Sequence, residues 1–170
     1  MSDQDVEHDQ LRGRLPEISL AIYTSITLLG VIAAASWKGL FADDMELLVI
    51  IAGTTVTLAI AHLWATVAAH RLTHRRPLTP DERRHELRNA VAVLIVGTLA
   101  IVVLAISWRL GAELETSIRL TLGMMIAVLF VVGVVGARRS GGSWLHAIGW
   151  GMADASIGII VLILKILVGG

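Results

Sequence analysis

Five long apolar segments alternate with short polar stretches along this chain. They cover about residues 18–36, 47–69, 90–108, 117–137 and 145–168. A helix needs about 20 apolar residues to cross the hydrocarbon core of a bilayer, and each segment is close to that length. Lipid offers the backbone no hydrogen-bond partners, so segments that cross it must satisfy their own hydrogen bonds. The pattern therefore predicts an all-α, polytopic membrane protein with about five transmembrane helices.

Composition agrees with lipid as the solvent. Of the 170 residues, 55% are hydrophobic and only 16% are charged, whereas soluble domains carry about 25% charged residues. The absence of cysteine excludes disulfides, thiolate metal sites and cysteine nucleophiles. We expect a mobile polar tail at 1–16 and one transmembrane domain at 17–170. The first apolar run is longer than the core of a usual signal peptide, so we expect it to be retained as a helix.

The longest connection between apolar segments is a basic stretch, and we predict a cytoplasmic loop at 71–88. Inside it, Thr79 has the features of an N-cap and Pro80 those of a first helical residue. The third helix is therefore expected to begin in the cytoplasm and run straight into the membrane. Each cationic side chain near a membrane surface contributes about 1 kcal/mol to membrane binding, because it is attracted to anionic headgroups. The predicted headgroup contacts are Arg71, Arg75, Arg76, Arg83 and Arg84.

The distribution of positive charge predicts the orientation. Of 14 Lys and Arg residues, ten would lie on the side of the N-terminus and of the second and fourth connections, and four on the other side. The positive-inside rule then places the N-terminus in the cytoplasm and the C-terminus outside. Trp37, Trp108 and Trp144 fall at segment ends, as an aromatic belt requires. We expect the protein in the plasma (inner) membrane.

Two ionisable residues inside the apolar segments are the main candidates for function. Asp154 lies about 15 Å along its helix from Trp144, and His62 lies about 13 Å before Arg71. Both are on faces of small and polar side chains, which favours packing against other helices. A charge at membrane depth costs about 2.5–3.5 kcal/mol on insertion scales, so each group needs a partner. We therefore predict an intramembrane polar pair of His62 and Asp154 near mid-membrane.

Such a pair allows two roles, and a third outcome is that the two residues never meet. As a structural contact, an interhelical hydrogen bond of this kind contributes about 0.6 kcal/mol on average to the stability of the folded bundle. As a functional site, the pair could relay a proton or bind a cation. His70 and His74 have a spacing that suits one metal ion, but the neighbouring arginines would repel it. We expect no metal site and no cofactor.

The sequence has no motif for catalysis, phosphate binding or nucleic-acid recognition. We therefore expect neither an enzyme nor a nucleic-acid-binding protein. The first function hypothesis is a structural or accessory helix bundle, whose partners are the bilayer and a second copy or another membrane protein. The alternative is a small cation or proton transporter that uses Asp154 and His62. Five helices are a thin scaffold for a pathway, so this alternative would need a dimer.

Three short motifs carry a family resemblance. They are residues 22–26 (IYTSI), 61–64 (AHLW) and 164–168 (LKILV). Together they resemble a family of small uncharacterised multi-pass membrane proteins of actinobacteria. The resemblance implies that Tyr23, His62 and Lys165 recur in that family, and it implies no activity.

In topology the chain is also similar to the VIT-type iron and manganese transporters, which have five spans and a cytoplasmic extension between the second and the third. Their metal motifs are missing here. The first helix has Tyr23, Thr24, Ser25 and Thr27 instead of acidic residues, and the connection is rich in arginine instead of acids. The resemblance therefore transfers no metal ligands to this chain.

Overall fold

Five long helices make up the computed structural model of the chain, which describes residues 15–40, 42–74 and 76–169. They are α1 (Leu15–Trp37), α2 (Asp44–His74), α3 (Pro80–Arg109), α4 (Leu114–Arg139) and α5 (Trp144–Gly169). Each is long and apolar enough to cross a membrane. The predicted all-α, multi-pass architecture is confirmed. Residues 15 and 16, which were assigned to the polar tail, are the first two of α1, and the rest of that tail lies outside the described residues.

The basic stretch at 71–88, predicted to be a cytoplasmic loop in which the third helix begins, is mostly helical. α2 continues to His74 and α3 begins at Pro80, which leaves only a short link. Thr79 caps α3, as predicted: its hydroxyl accepts a hydrogen bond from the Glu82 backbone N–H, and its own N–H donates to the Glu82 carboxylate. This reciprocal capping box, followed by Pro80, starts α3 well before the apolar segment.

α1 is the central helix of the bundle. Helices α2, α3, α4 and α5 pack in chain order, each against the next, and α1 contacts all four of them. The connections are short, so successive helices become antiparallel neighbours. Within the described part of the chain, α2 and α5 stand at the two ends of this arc without extensive mutual contact.

The apolar core lies toward one end of the bundle. We call this end, which carries Trp37 and Trp108, the distal end. The large, fully buried side chains of this core cluster come from four helices: Leu28, Leu29, Ile32, Leu47, Ile51, Leu104 and Met125. Val93 and Leu129 are also fully buried, nearer the opposite end. We call the opposite end the basic end, because its exposed cations are Arg71, Arg76, Arg83, Arg84, Arg88, Arg138 and Arg139.

The backbones of α4 and α5 touch at a pair of glycines. A Cβ atom on Gly133 would lie 2.9 Å from the Cα atom of Gly151 and 3.0 Å from the carbonyl oxygen of Trp150. Small residues allow this close approach, which supplies the van der Waals contact that joins helices in lipid. The predicted inward face of α5 is confirmed, because its small residues are buried: Ala147, Gly151, Ala155 and Gly158.

Replacing Gly133 with alanine should destabilise the protein. The added methyl group has no room against the α5 backbone, and overpacking of this kind costs about 1–3 kcal/mol. Thermal unfolding in detergent measures the loss. The matched control is Gly136→Ala, one turn along α4, where an added Cβ meets nothing within 4 Å. It should be neutral or stabilise by up to about 1 kcal/mol, because alanine is the better helix former. Equal losses in both variants would contradict the close α4–α5 contact.

Candidate functional site

His62 of α2 faces Glu86 of α3. The distance from His62 Nε2 to Glu86 Oε2 is 3.5 Å, and both side chains are less than a quarter exposed. The buried side chain of Asn89 donates a hydrogen bond from Nδ2 to the same carboxylate oxygen at 3.2 Å. We call these three residues the His62 cluster. It forms because α2 and α3 are antiparallel neighbours, which brings His62 level with the first turns of α3.

The cluster is one part of a polar seam between α2 and α3. Nearer the basic end, His70 Nε2 lies 3.8 Å from the carboxylate of Glu82. On the other side of the cluster, Gly97 lies so close to buried Thr55 that a Cβ atom would overlap its side chain. The partners follow opposite directions along the two helices, so the seam fixes the register of this hairpin.

The structure does not bring His62 and Asp154 together, so the predicted pair is replaced by the contact between His62 and Glu86. α1 lies between the two residues. Ile22 of α1 borders the groove that holds Asp154, whereas Thr24 borders the cavity that holds His62. Residues two positions apart on a helix point about 200° apart, so the two sites occupy opposite faces of α1.

His62 lies in the half of α2 that is nearer the basic end. α2 has 31 residues and α3 has 30, or about 45 Å each at the usual helical rise. The hydrocarbon core is only about 30 Å thick, so both helices must project beyond it or tilt. Glu86 precedes the apolar run of α3, which begins at Ala90. Its contact therefore places His62 beside the polar first turns of α3. The depth of His62 in the membrane stays a prediction.

Sequence reasoning did not identify Glu86 and Asn89 as neighbours of His62. Both lie just before the apolar segment of α3, at the end of the basic stretch. The available signal was their spacing of three residues, which puts them on one helical face. The position of Asn89 beside the apolar run also pointed to burial.

Asp154 lies in a groove between α1, α4 and α5. A Cβ atom on Gly133 would be 2.5 Å from Asp154 Oδ2, so the carboxylate rests directly on the α4 backbone. His146 and Trp150 line the same groove, and Trp150 Nε1 donates a 2.9 Å hydrogen bond to His146 Nε2. Among the described residues, no hydrogen bond or ion pair engages the Asp154 carboxylate. Its inward position against α4 agrees with the sequence prediction, and its depth in the membrane stays a prediction.

The predicted headgroup-binding arginines are not equivalent. Arg76 donates two hydrogen bonds to Glu82, at 2.7 and 2.9 Å, and these raise the pKa of the Arg76 guanidinium above its ordinary value. This guanidinium is therefore already paired. Arg75 lies outside the described residues. Three others are exposed at helix ends: Arg71, Arg83 and Arg84. Their contact with lipid headgroups stays a prediction.

A cavity of about 310 Å³ opens beside His62, between α1, α2 and α3. Its lining is mostly apolar: Leu20, Tyr23, Thr24, Leu58, Ala61, His62, Ala65 and Val93. Two residues that the family motifs singled out, Tyr23 and His62, therefore border the same space. The third, Lys165, lines a different groove with Gly30 and Lys38.

The His62 cluster can do two things chemically. An imidazole beside a carboxylate can hold two helices in register, or it can exchange a proton. Within the described part of the chain, no group of three or more His, Asp or Glu side chains is arranged to hold a metal ion. The side chain of His74 lies outside the described residues.

Comparison with known proteins adds no relative: no protein-family model, curated protein or solved structure matches this chain. The family resemblances carried by the short motifs therefore stay predictions.

Glu86 and Asp154 should respond oppositely to neutralisation. Glu86→Gln weakens the contacts to His62 and Asn89, so we expect a loss of about 0.5–1.5 kcal/mol in the free energy of unfolding. Asp154→Asn removes a charge without a described partner, so we expect no loss or a gain. Thermal unfolding in detergent at pH 7 measures both variants. A larger loss for Asp154→Asn would overturn the assignment of Glu86 as the structural partner.

Proposed function

We propose that the protein is a structural or accessory component of the plasma (inner) membrane, with its basic end in the cytoplasm and no catalytic activity of its own. In this role the five helices form a scaffold that associates with a second copy or with another membrane protein. The polar groups inside the bundle fix contacts between helices. The bias of positive charge supports the orientation.

The packed distal half carries this proposal. Leu28, Leu29 and Ile32 of α1 are fully buried there against Leu47 and Leu104. An ion or proton that crosses a bundle needs a continuous wet or polar lining. The nearby hydroxyl of Ser25 bonds within its own helix, to the carbonyl oxygen of Ala21. The core therefore favours a scaffold over a pathway.

The division of the polar groups also supports the scaffold role. The His62 cluster joins α2 to α3, and buried Ser107 donates a 3.1 Å hydrogen bond to Ser117, which joins α3 to α4. Asp154 lies on Gly133, where α4 meets α5. Each group belongs to one pair of neighbouring helices, as structural contacts do.

A second candidate is a small proton or cation transporter that uses His62 with Glu86, in place of the predicted His62 and Asp154. The 3.5 Å contact between imidazole and carboxylate beside a cavity favours it. Histidine is the side chain best suited to proton exchange near neutral pH. A route from His62 to the distal end would have to open through the packed layer of α1, and a pathway between two copies would avoid that layer.

Reconstituted vesicles distinguish the two candidates. We expect that wild-type protein in liposomes loaded with a pH-sensitive dye, under an imposed pH gradient, leaks protons no faster than protein-free liposomes do. Glu86→Gln should behave in the same way. A protonophore added at the end confirms that the dye reports flux. Flux in the wild type that is lost in Glu86→Gln would reject the scaffold and establish the transporter.

The accessory role also requires a partner. Native membranes solubilised with a styrene–maleic acid polymer keep neighbouring proteins within one lipid disc. We expect the chain to occur there in a particle that contains more than one protein subunit, as measured by native mass spectrometry. A particle that contains one copy of this chain and no other protein would contradict an accessory or oligomeric role.

A further inference from the structure

The only two lysines of the chain line one groove. Lys38 follows the last residue of α1, and Lys165 lies near the end of α5. Both border a groove of about 490 Å³ in the distal half of the bundle. Both residues are also exposed, so a molecule in the groove can reach their side chains. We call this space the lysine groove.

The lysine groove contains no negative group that would balance these charges. Its other side chains are mostly apolar, and they include Ile26, Val31, Ala34, Ala35, Leu40 and Val161. The hydroxyl of Thr27, which also lines it, donates to the carbonyl oxygen of Tyr23 at 2.8 Å. In the part of the chain that the structure describes, neither ammonium group forms an ion pair. Two like charges that share an apolar groove repel each other unless an anion lies between them.

Three acidic residues of the distal end already have other partners. Asp43 accepts a 2.8 Å hydrogen bond from the backbone N–H of Glu46, and Glu46 accepts one of 2.6 Å from that of Ala42. These bonds hold the turn that starts α2. Glu115 forms its ion pair with Arg119. The anion that matches the lysine groove therefore has to come from outside the described chain.

Lys165 lies inside the groove, whereas Lys38 lies at its rim. Lys165 Cε is 3.6 Å from the position that a Cβ atom on Gly30 would occupy, so the lysine side chain lies across the α1 backbone. Gly30 precedes Lys38 by eight residues, or about 12 Å along the helix. A lysine near a helix end can also direct its ammonium group toward the lipid headgroups. The groove thus joins an apolar wall to a cationic rim, in the direction that a lipid molecule follows.

We propose that the lysine groove binds one anionic phospholipid. Lys38 and Lys165 hold its phosphate, and one acyl chain lies against Ile26 and Val31. Basic pockets between transmembrane helices bind anionic headgroups in this way, and the volume of the groove is within the range of ligand pockets, about 300–1,000 Å³. The apolar wall favours a lipid over free phosphate. The site is separate from the arginines of the basic end, and it does not depend on the scaffold role proposed above.

The two lysines also provide the probes for the test. Reductive methylation with ¹³C-formaldehyde labels their amines, which keep their positive charge, together with the terminal amine. The charge-conserving variants Lys38→Arg and Lys165→Arg assign the two NMR signals. The labelled protein is placed in phosphatidylcholine nanodiscs that contain increasing fractions of phosphatidylglycerol. We expect both lysine signals to shift along one saturating curve. Inorganic phosphate added to pure phosphatidylcholine discs should cause no saturable shift.

Variants connect that shift to the groove. Lys38→Gln should weaken phosphatidylglycerol binding about fivefold, as measured on the Lys165 signal, which is the usual effect of one lysine on anionic headgroups. Arg109→Gln is the matched control, because it removes one exposed charge at the same end of the bundle but outside the groove. It should bind like the wild type. Gly30→Leu keeps both lysines but fills the groove, and it should abolish the saturable shift.

Three results would overturn the proposal. A shift that rises in proportion to the phosphatidylglycerol fraction, without saturation, would mean general attraction to a charged surface. A saturable shift with inorganic phosphate in phosphatidylcholine discs would mean a site for a free anion and not for a lipid. Unchanged affinity on the Lys165 signal in Lys38→Gln would show that the two lysines share no ligand.

Discussion

The central position of α1 is the constraint on which the rest of the structure depends. This one helix packs against the other four and divides the basic half of the bundle into two regions. Residues two positions apart on α1 border different spaces. Ile22 borders the groove that holds Asp154, and Thr24 borders the cavity that holds His62. His62 and Asp154, which lie at comparable distances from the basic end, are therefore kept apart. His62 lies in the seam between α2 and α3, and Asp154 lies against the backbone of α4.

Each helix pair reaches close contact by different chemistry. α4 and α5 use glycine, which lets two backbones approach until an added methyl group has no space. α2 and α3 use an imidazole, a carboxylate and an amide, and α3 and α4 use two serine hydroxyls. In lipid there is little hydrophobic drive for helices to associate, so such local contacts determine which neighbours meet. The apolar layer around Leu28 and Ile32 then closes the distal half.

The sequence was sufficient for the features that depend on local chemistry. Length and apolarity predicted the five helices, and the order Thr79, Pro80 and Glu82 predicted the start of α3. The ion pair between Glu115 and Arg119, four residues apart on α4, is a contact of the same local kind. These features need no knowledge of which helices are neighbours.

The features that depend on neighbours could not be predicted in the same way. His62 pairs with Glu86 because α2 and α3 run antiparallel at one register. The sequence of neither segment alone determines that register. The cavity beside Thr24 required the packing of three helices. A list of polar residues at depth therefore identified His62 and Asp154, but not their environments.

The most direct test of this arrangement is the thermodynamic coupling of His62 to each of its two candidate partners. Unfolding free energies in detergent are compared for His62→Ala, Glu86→Gln, Asp154→Asn and the two double variants that contain His62→Ala. We expect His62 and Glu86 to couple by about 0.5–1.5 kcal/mol, so that the double variant loses less than the sum of the single losses. His62 and Asp154 should be additive to within about 0.5 kcal/mol. Coupling of His62 to Asp154, with additivity toward Glu86, would contradict the placement of α1 between them.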